Sequence, residues 1–140
     1  MHRSTITIAV STLLLVVLGM TSCGSSANPN LGRVLTGITV TPATADAQSF
    51  ANGQVVFTAT GTFSLPPTPA PVPFLAPYAG QFVVDNPSNS TIATVVGQGN
   101  GTVTVQCAAG AAGTVFVVAS ASANNGSTIV VSGSGQLTCP

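Results

Sequence analysis

The side chains of this 140-residue chain that could do covalent chemistry are its three cysteines. A thiolate is a nucleophile, and two thiols of an exported chain can be oxidised to a disulfide. Beyond residue 22 the chain has no Lys, Glu or His, and Asp46 and Asp85 are its only carboxylates. The serines therefore have no base to activate them, and ligands for a metal are few. We predict that the protein is not an enzyme and uses no cofactor or metal.

The first cysteine, Cys23, comes shortly after an uncharged segment, Ile6 to Met20, in which every residue is apolar or small. A membrane-spanning helix needs roughly 20 apolar residues, which is more than this segment contains. Its length, and the positive charge of Arg3 before it, are typical of an export signal.

The end of this segment, Met20-Thr21-Ser22-Cys23, has an apolar residue three positions before the cysteine, with small residues between them. This arrangement resembles the lipobox of bacterial lipoproteins. The resemblance implies that residues 1–22 are a lipoprotein signal peptide and that Cys23 becomes an acylated N-terminus. No acidic residue stands at position 24 or 25, which in such proteins favours the outer membrane over the inner membrane. An ordinary secreted protein with an incidental cysteine is the alternative.

Once Cys23 is acylated, Cys107 and Cys139 remain as an even pair in an exported chain, and we predict that they form a disulfide. The bridge would close a loop of about 33 residues and stabilise the fold by roughly 3 to 4 kcal/mol in the chain-entropy model. Two reactive thiols are the alternative, but no basic residue lies nearby in the sequence to activate them.

The elements that must position these cysteines are predicted to be β-strands. Alternating apolar and polar residues indicate half-buried strands, and no segment after residue 22 has helical periodicity over two turns. In the clearest run, 55–63, the odd-numbered positions are expected to face the core. The strand candidates are residues 38–42, 55–63, 81–84, 91–96, 102–107, 114–120, 128–132 and 135–139.

Several of these segments also match a family pattern. The matching segments are Ile38–Pro42, Val55–Gly61, Asp85–Val95, Gly101–Val105 and 109–118. In this order they resemble the bacterial Ig-like domains of group 2, which open with a VTVTP strand and continue with an xFTATG strand. The resemblance covers about residues 37 to 121 and implies an all-β, Ig-like β-sandwich of about seven to eight strands. The family usually has a Trp where this chain has Phe82.

These observations predict three regions. Residues 1–22 are the signal peptide, residues 23–35 a lipidated flexible tether rich in Gly, Ser and Asn, and residues 36–140 the Ig-like domain.

One segment inside the domain, Leu65 to Ala79, contains six prolines, which favour an extended polyproline II conformation over sheet or helix. Phe74, Leu75 and Tyr78 lie at its far end. They could form an apolar tip that contacts a partner. Alternatively, the segment closes one end of the sandwich and these side chains enter the core, which is the interpretation we favour.

The predicted function is a non-catalytic cell-envelope lipoprotein whose domain binds or spaces something at the cell surface. Its expected partners are a lipid bilayer, through Cys23, and a surface protein or glycan. Nucleic acid is excluded because its recognition needs clustered Lys and Arg. One alternative is a carbohydrate- or peptidoglycan-contacting module, although the chain has no Trp and a single Tyr. The other is a structural subunit that self-associates through its sheet edges.

Overall fold

The computed structural model describes residues 32–87, 90–124 and 126–140. These residues are mostly β-strand, with two short 3-10 turns at Ala47–Ser49 and Ala51–Gly53. None of the helices in this part of the chain has the length and apolar character needed to cross a membrane. The strands are β1 (Leu35–Thr41), β2 (Thr44–Asp46), β3 (Gln54–Phe63), β4 (Ala70–Pro71), β5 (Gln81–Asp85), β6 (Ala93–Gly99), β7 (Thr102–Cys107), β8 (Gly113–Ser122) and β9 (Val130–Cys139).

The strands form two sheets that pack face to face. One sheet has the order β1-β3-β7-β6, with β4 added to β3, and the other has the order β2-β9-β8-β5. Strand β2 runs parallel to β9, and the other neighbouring strands are antiparallel. This is the strand order of an immunoglobulin constant-type sandwich, with β2 as an addition beside the last strand. The predicted all-β, Ig-like sandwich is confirmed; it has nine strands, two of them very short (β2 and β4), where seven to eight were predicted.

The core lies between the sheets and is filled by alternate residues of the long strands. In β3 every odd-numbered position from 55 to 63 is buried, as predicted. Burial of one Val, Leu or Phe side chain contributes about 1.5–3 kcal/mol, so this alternation is what holds the two sheets together. The buried side chains of the long strands include Val55, Phe57, Ala59, Phe63, Val103, Val105, Val115, Val117 and Leu137.

The folded unit begins before the predicted boundary. Residues Gly32 to Pro140 form one compact unit, and β1 starts at Leu35. Leu35 is buried and pairs with Phe63, and Arg33 is also buried. Residues 32–35, which the sequence placed in the tether, therefore belong to the folded domain, because the side chains of Arg33 and Leu35 pack against it.

The two strands predicted at the end of the chain are one continuous strand, β9. Its pairing with β8 runs unbroken from Val130 to Cys139. Gly133 and Gly135 are positions where β9 passes close to Ile38 and Pro42. A Cβ atom at Gly135 would lie 2.6 Å from the carbonyl oxygen of Pro42, and one at Gly133 would overlap the carbonyl oxygen of Ile38. Glycine is used here for close backbone approach rather than for a turn.

The proline segment contains a short piece of sheet, where the sequence predicted none. Ala70 and Pro71 pair with Gly61 and Thr60 of β3. The pairing is possible because a proline at a sheet edge can accept hydrogen bonds without having to donate one.

Candidate functional site

The predicted site residues lie at opposite ends of the sandwich. Strand directions place the start of β1 at one end and the last residue of β9 at the other. We call the first end the proline pole and the second the disulfide pole. The proline pole comprises residues 32–34, 64–80, 100–101 and 123–130, and the disulfide pole comprises residues 42–53, 86–92, 107–112 and 139–140.

Arg33 is the buried cation of the proline pole, with 7% of its surface exposed. Its guanidinium carbon lies 4.0 Å from the ring centre of Phe63. Its Nε donates to the carbonyl oxygen of Leu65 at 3.2 Å, and its Nη2 donates to the carbonyl oxygen of Pro67. The aromatic face and the carbonyl oxygens replace the water that a charged group loses on burial. Arg33 thereby binds the proline segment to the start of the folded chain.

Tyr78, one of the predicted contact residues, is fully buried in this cluster. Its ring meets that of Phe63 edge to face, with 5.3 Å between the ring centres. Its hydroxyl donates to the main-chain carbonyl of Arg33 at 3.3 Å. Tyr78 is therefore a core residue and presents no ring to an outside partner.

The other two predicted contact residues differ from each other in exposure. Phe74 is half-buried, and its ring packs edge to face on Phe82 with 4.9 Å between the ring centres. The Phe74 amide donates to Oδ1 of Asn100 at 3.1 Å. Leu75, in contrast, is exposed to solvent. The segment therefore closes the end of the sandwich through Phe74 and Tyr78, and Leu75 remains on its outer surface.

At the disulfide pole, Cys107 and Cys139 are bonded to each other as predicted, with 5.7 Å between their Cα atoms. Cys107 ends β7 in one sheet, and Cys139 ends β9 in the other. The bond therefore crosses the sandwich and joins its two sheets.

A shallow recess of about 350 Å³ lies beside this disulfide. Its lining residues include Ala47, Gln48, Phe50, Cys107, Ala108 and Pro140. Apart from the disulfide, Gln48 supplies the one polar side chain among its lining residues. The recess is thus shaped mostly by small and apolar groups.

Both carboxylates also lie at or near the disulfide pole. Asp46 ends β2 and accepts a hydrogen bond from the amide of Gln48 at 3.0 Å, which caps the first 3-10 turn. Asp85 ends β5. Within residues 32–87, 90–124 and 126–140, no group of three His, Cys, Asp or Glu side chains is placed to hold a metal ion.

Asn86 organises the loop beside them, a role that the sequence did not reveal. Its Oδ1 accepts hydrogen bonds from the amides of Ile92 and Ala93, at 2.9 and 3.0 Å. Its Nδ2 donates to the carbonyl oxygen of Ala93 at 3.0 Å. The only signal for it was its position before Pro87, in a segment predicted as part of the family pattern.

Cys23 and the predicted signal peptide lie outside the described residues. Searches of protein-family models, of curated proteins and of solved structures found no match to this chain.

Proposed function

We propose that this protein is a non-catalytic cell-envelope lipoprotein whose Ig-like domain serves as a surface binding or spacer module. One observation carries the proposal. Met20-Thr21-Ser22-Cys23 closes an uncharged apolar segment, and the folded unit begins at Gly32, nine positions after the cysteine. Each acyl methylene that enters a bilayer contributes about 0.8 kcal/mol, so two or more chains on Cys23 would anchor the domain without a spanning helix.

The absence of an acidic residue after Cys23 supports attachment to the outer membrane rather than the inner membrane. The domain itself supports a role in contact or spacing, because large apolar side chains such as Leu75, Phe116 and Ile129 are exposed on its surface. An Ig-like fold serves many unrelated functions, so this step rests on the properties of its surface.

The outer face of the four-stranded sheet supports a protein partner over a glycan. Val83 and Phe116 are about half exposed on this face. Val118 lies on the same strand as Phe116, two residues further along, and pairs with Val83. Exposed aliphatic side chains suit a protein surface. A sugar-binding module stacks its ligand on exposed aromatic rings, of which this face carries one among the described residues, Phe116, while the single Tyr of the chain, Tyr78, is buried.

Intact-mass measurement of the protein extracted from membranes tests the anchoring proposal. We expect a species that begins at Cys23 and carries added acyl mass, with two further cysteines that alkylate only after reduction. The Cys23→Ser variant is the matched control, and it should lack the acyl mass and leave the membrane fraction. An unacylated wild-type chain cleaved at another position would refute the proposal.

Self-association is the second candidate, through this sheet face rather than through the sheet edges expected from the sequence, and analytical sedimentation tests it. A dimer that dissociates in Phe116→Ser, but persists in Val56→Ser on the other sheet, would support it. A wild-type protein that stays monomeric at all concentrations would exclude it and leave a foreign protein as the partner.

A further inference from the structure

The most exposed large hydrophobic side chains in the described part of the chain lie at the proline pole. Leu75, Ile129 and Val130 have exposed fractions of 70%, 66% and 65%. Leu65, on the same pole, is 50% exposed. The loops of the disulfide pole carry one comparable residue, Phe50, at 42%. The other large hydrophobic side chains that are exposed in the described residues, at Phe50 and in the strands, have exposed fractions of 41–54%. The strongest apolar exposure is therefore gathered at one end, which marks a surface that is covered in use.

Main-chain hydrogen bonds connect the loops that carry these side chains. The Tyr78 amide donates to the Leu75 carbonyl at 3.0 Å, and the Ser122 amide donates to the Tyr78 carbonyl at 2.6 Å. In the neighbouring loop the Ala123 amide donates to the Ile129 carbonyl at 3.0 Å. Leu75 and Ile129 are therefore held on one bonded framework, so docking this pole does not require two independent loops to be ordered.

The charge distribution makes this pole suitable for a lipid surface. Arg33 is its one charged residue within the described chain, and that side chain is buried against Phe63. Asp46 and Asp85 lie at or near the opposite pole. Moving the proline pole from water into a lipid surface would therefore not desolvate an exposed charged side chain. Desolvation of a charge is the largest cost of burying a protein surface in an apolar environment.

The length of chain before the folded unit limits the distance of this pole from the anchor. Nine residue steps separate Cys23 from Gly32, and Gly32 is at the proline pole. At roughly 3.3–3.6 Å per residue, an acylated Cys23 cannot be farther than about 30 Å from Gly32. Such a short connection corresponds to an effective concentration of about millimolar, so even a weak apolar contact with the bilayer would be occupied.

We propose that the proline pole seats on the lipid surface to which Cys23 is attached, with Leu75, Ile129 and their exposed neighbours entering the acyl-chain boundary. The inference rests on the proposed function, since the acylated cysteine brings this pole to the bilayer. In this orientation the disulfide pole, with Phe50 and its recess, is the end presented away from the membrane.

Tryptophan reporters test the seating, because the chain contains no Trp of its own. Leu75→Trp and Ile129→Trp place a reporter at the proline pole. Phe50→Trp at the disulfide pole and Val56→Trp on a sheet face are controls at exposed positions away from this pole, with native exposed fractions of 42% and 54%. Each acylated protein is reconstituted into phosphatidylethanolamine/phosphatidylglycerol vesicles with bromine on the acyl chains. We expect blue-shifted emission and at least threefold stronger quenching at 75 and 129 than at 50 and 56. Equal quenching at all four positions would overturn the inference.

A second arm separates this inference from the anchoring proposal. The chain from Cys23 onward is coupled through that thiol to a maleimide lipid, while Cys107 and Cys139 remain bonded to each other. Quenching at Leu75→Trp in the coupled protein supports the seating even if the natural protein is found unacylated. If the natural protein is acylated but acylated Leu75→Trp shows no quenching, the anchoring proposal is supported and the seating is refuted.

Discussion

The Tyr78 hydroxyl donates to the main-chain carbonyl of Arg33, and the two residues are 45 positions apart in the chain. The guanidinium of Arg33 in turn donates hydrogen bonds to the carbonyl oxygens of Leu65 and Pro67. The start of the folded unit and both ends of the proline segment are therefore bound to each other. This reciprocal arrangement is what gives the proline pole a defined shape.

Replacing Arg33 should loosen this pole. Arg33→Met removes the donors to Leu65 and Pro67 and the cation over Phe63, and we expect the free energy of unfolding to fall by about 1–3 kcal/mol. Arg33→Lys keeps the charge but lacks the planar fork that reaches both carbonyls, so it should recover only part of the loss. Urea denaturation of the Cys23→Ser protein measures both. If Arg33→Lys had the same free energy of unfolding as the wild type, the role assigned to the planar guanidinium would be contradicted.

Removing the disulfide should destabilise the sandwich without changing its fold. The Cys107→Ser, Cys139→Ser double variant loses a cross-link between residues 32 positions apart. The chain-entropy model predicts a loss of about 3–4 kcal/mol. Thermal unfolding with and without reductant checks this, since reduction should lower the melting temperature of the wild type to that of the double variant. Cys23→Ser is the control, and its melting temperature should still respond to reductant.

A side chain at Gly101 should be poorly tolerated because of its neighbour rather than its backbone angle alone. Gly101 has φ of 71°, and a Cβ atom there would lie 2.9 Å from the carbonyl oxygen of Val72. Gly110 has φ of 72°, with nothing within 4 Å of its Cβ position. Both Ala variants carry the left-handed penalty of about 1–2 kcal/mol. We expect Gly101→Ala to lose clearly more than Gly110→Ala in urea denaturation, and equal losses would rule out the predicted overlap.

The side chain of Asn86 should stabilise the loop at the disulfide pole through its paired donor and acceptor. Asn86→Ala loses the hydrogen bonds to Ile92 and Ala93, and we expect a loss of about 2–3 kcal/mol. Asn86→Asp keeps the acceptor and loses the donor, so it should fall between Ala and wild type. Hydrogen exchange at the Ala93 amide provides a local readout. Unchanged protection of that amide in Asn86→Ala would show that the side chain is not needed there.

Local patterns were sufficient to predict most of the longer strands and the disulfide. Alternation in β3 identified its buried face because strand side chains point to opposite sides at every step, whatever the partner strand. The pairing of Cys107 with Cys139 followed from counting, since the predicted acylation of Cys23 would leave no other thiol. The buried face of a strand and the number of available thiols depend on neighbouring residues or on composition, and both can be read from the sequence.

The contacts at the two ends of the sandwich became known only from the tertiary structure. Arg33 was assigned to a tether because its carbonyl partners stand more than 30 positions away. Strand β9 was predicted as two strands because its unbroken pairing with β8 is a contact between separate segments. Strand direction likewise determined that the proline segment shares a pole with the start of the folded chain. At the ends of the sandwich, burial and close approach are set by contacts between segments that are distant in sequence, and a pattern along one segment does not reveal those contacts.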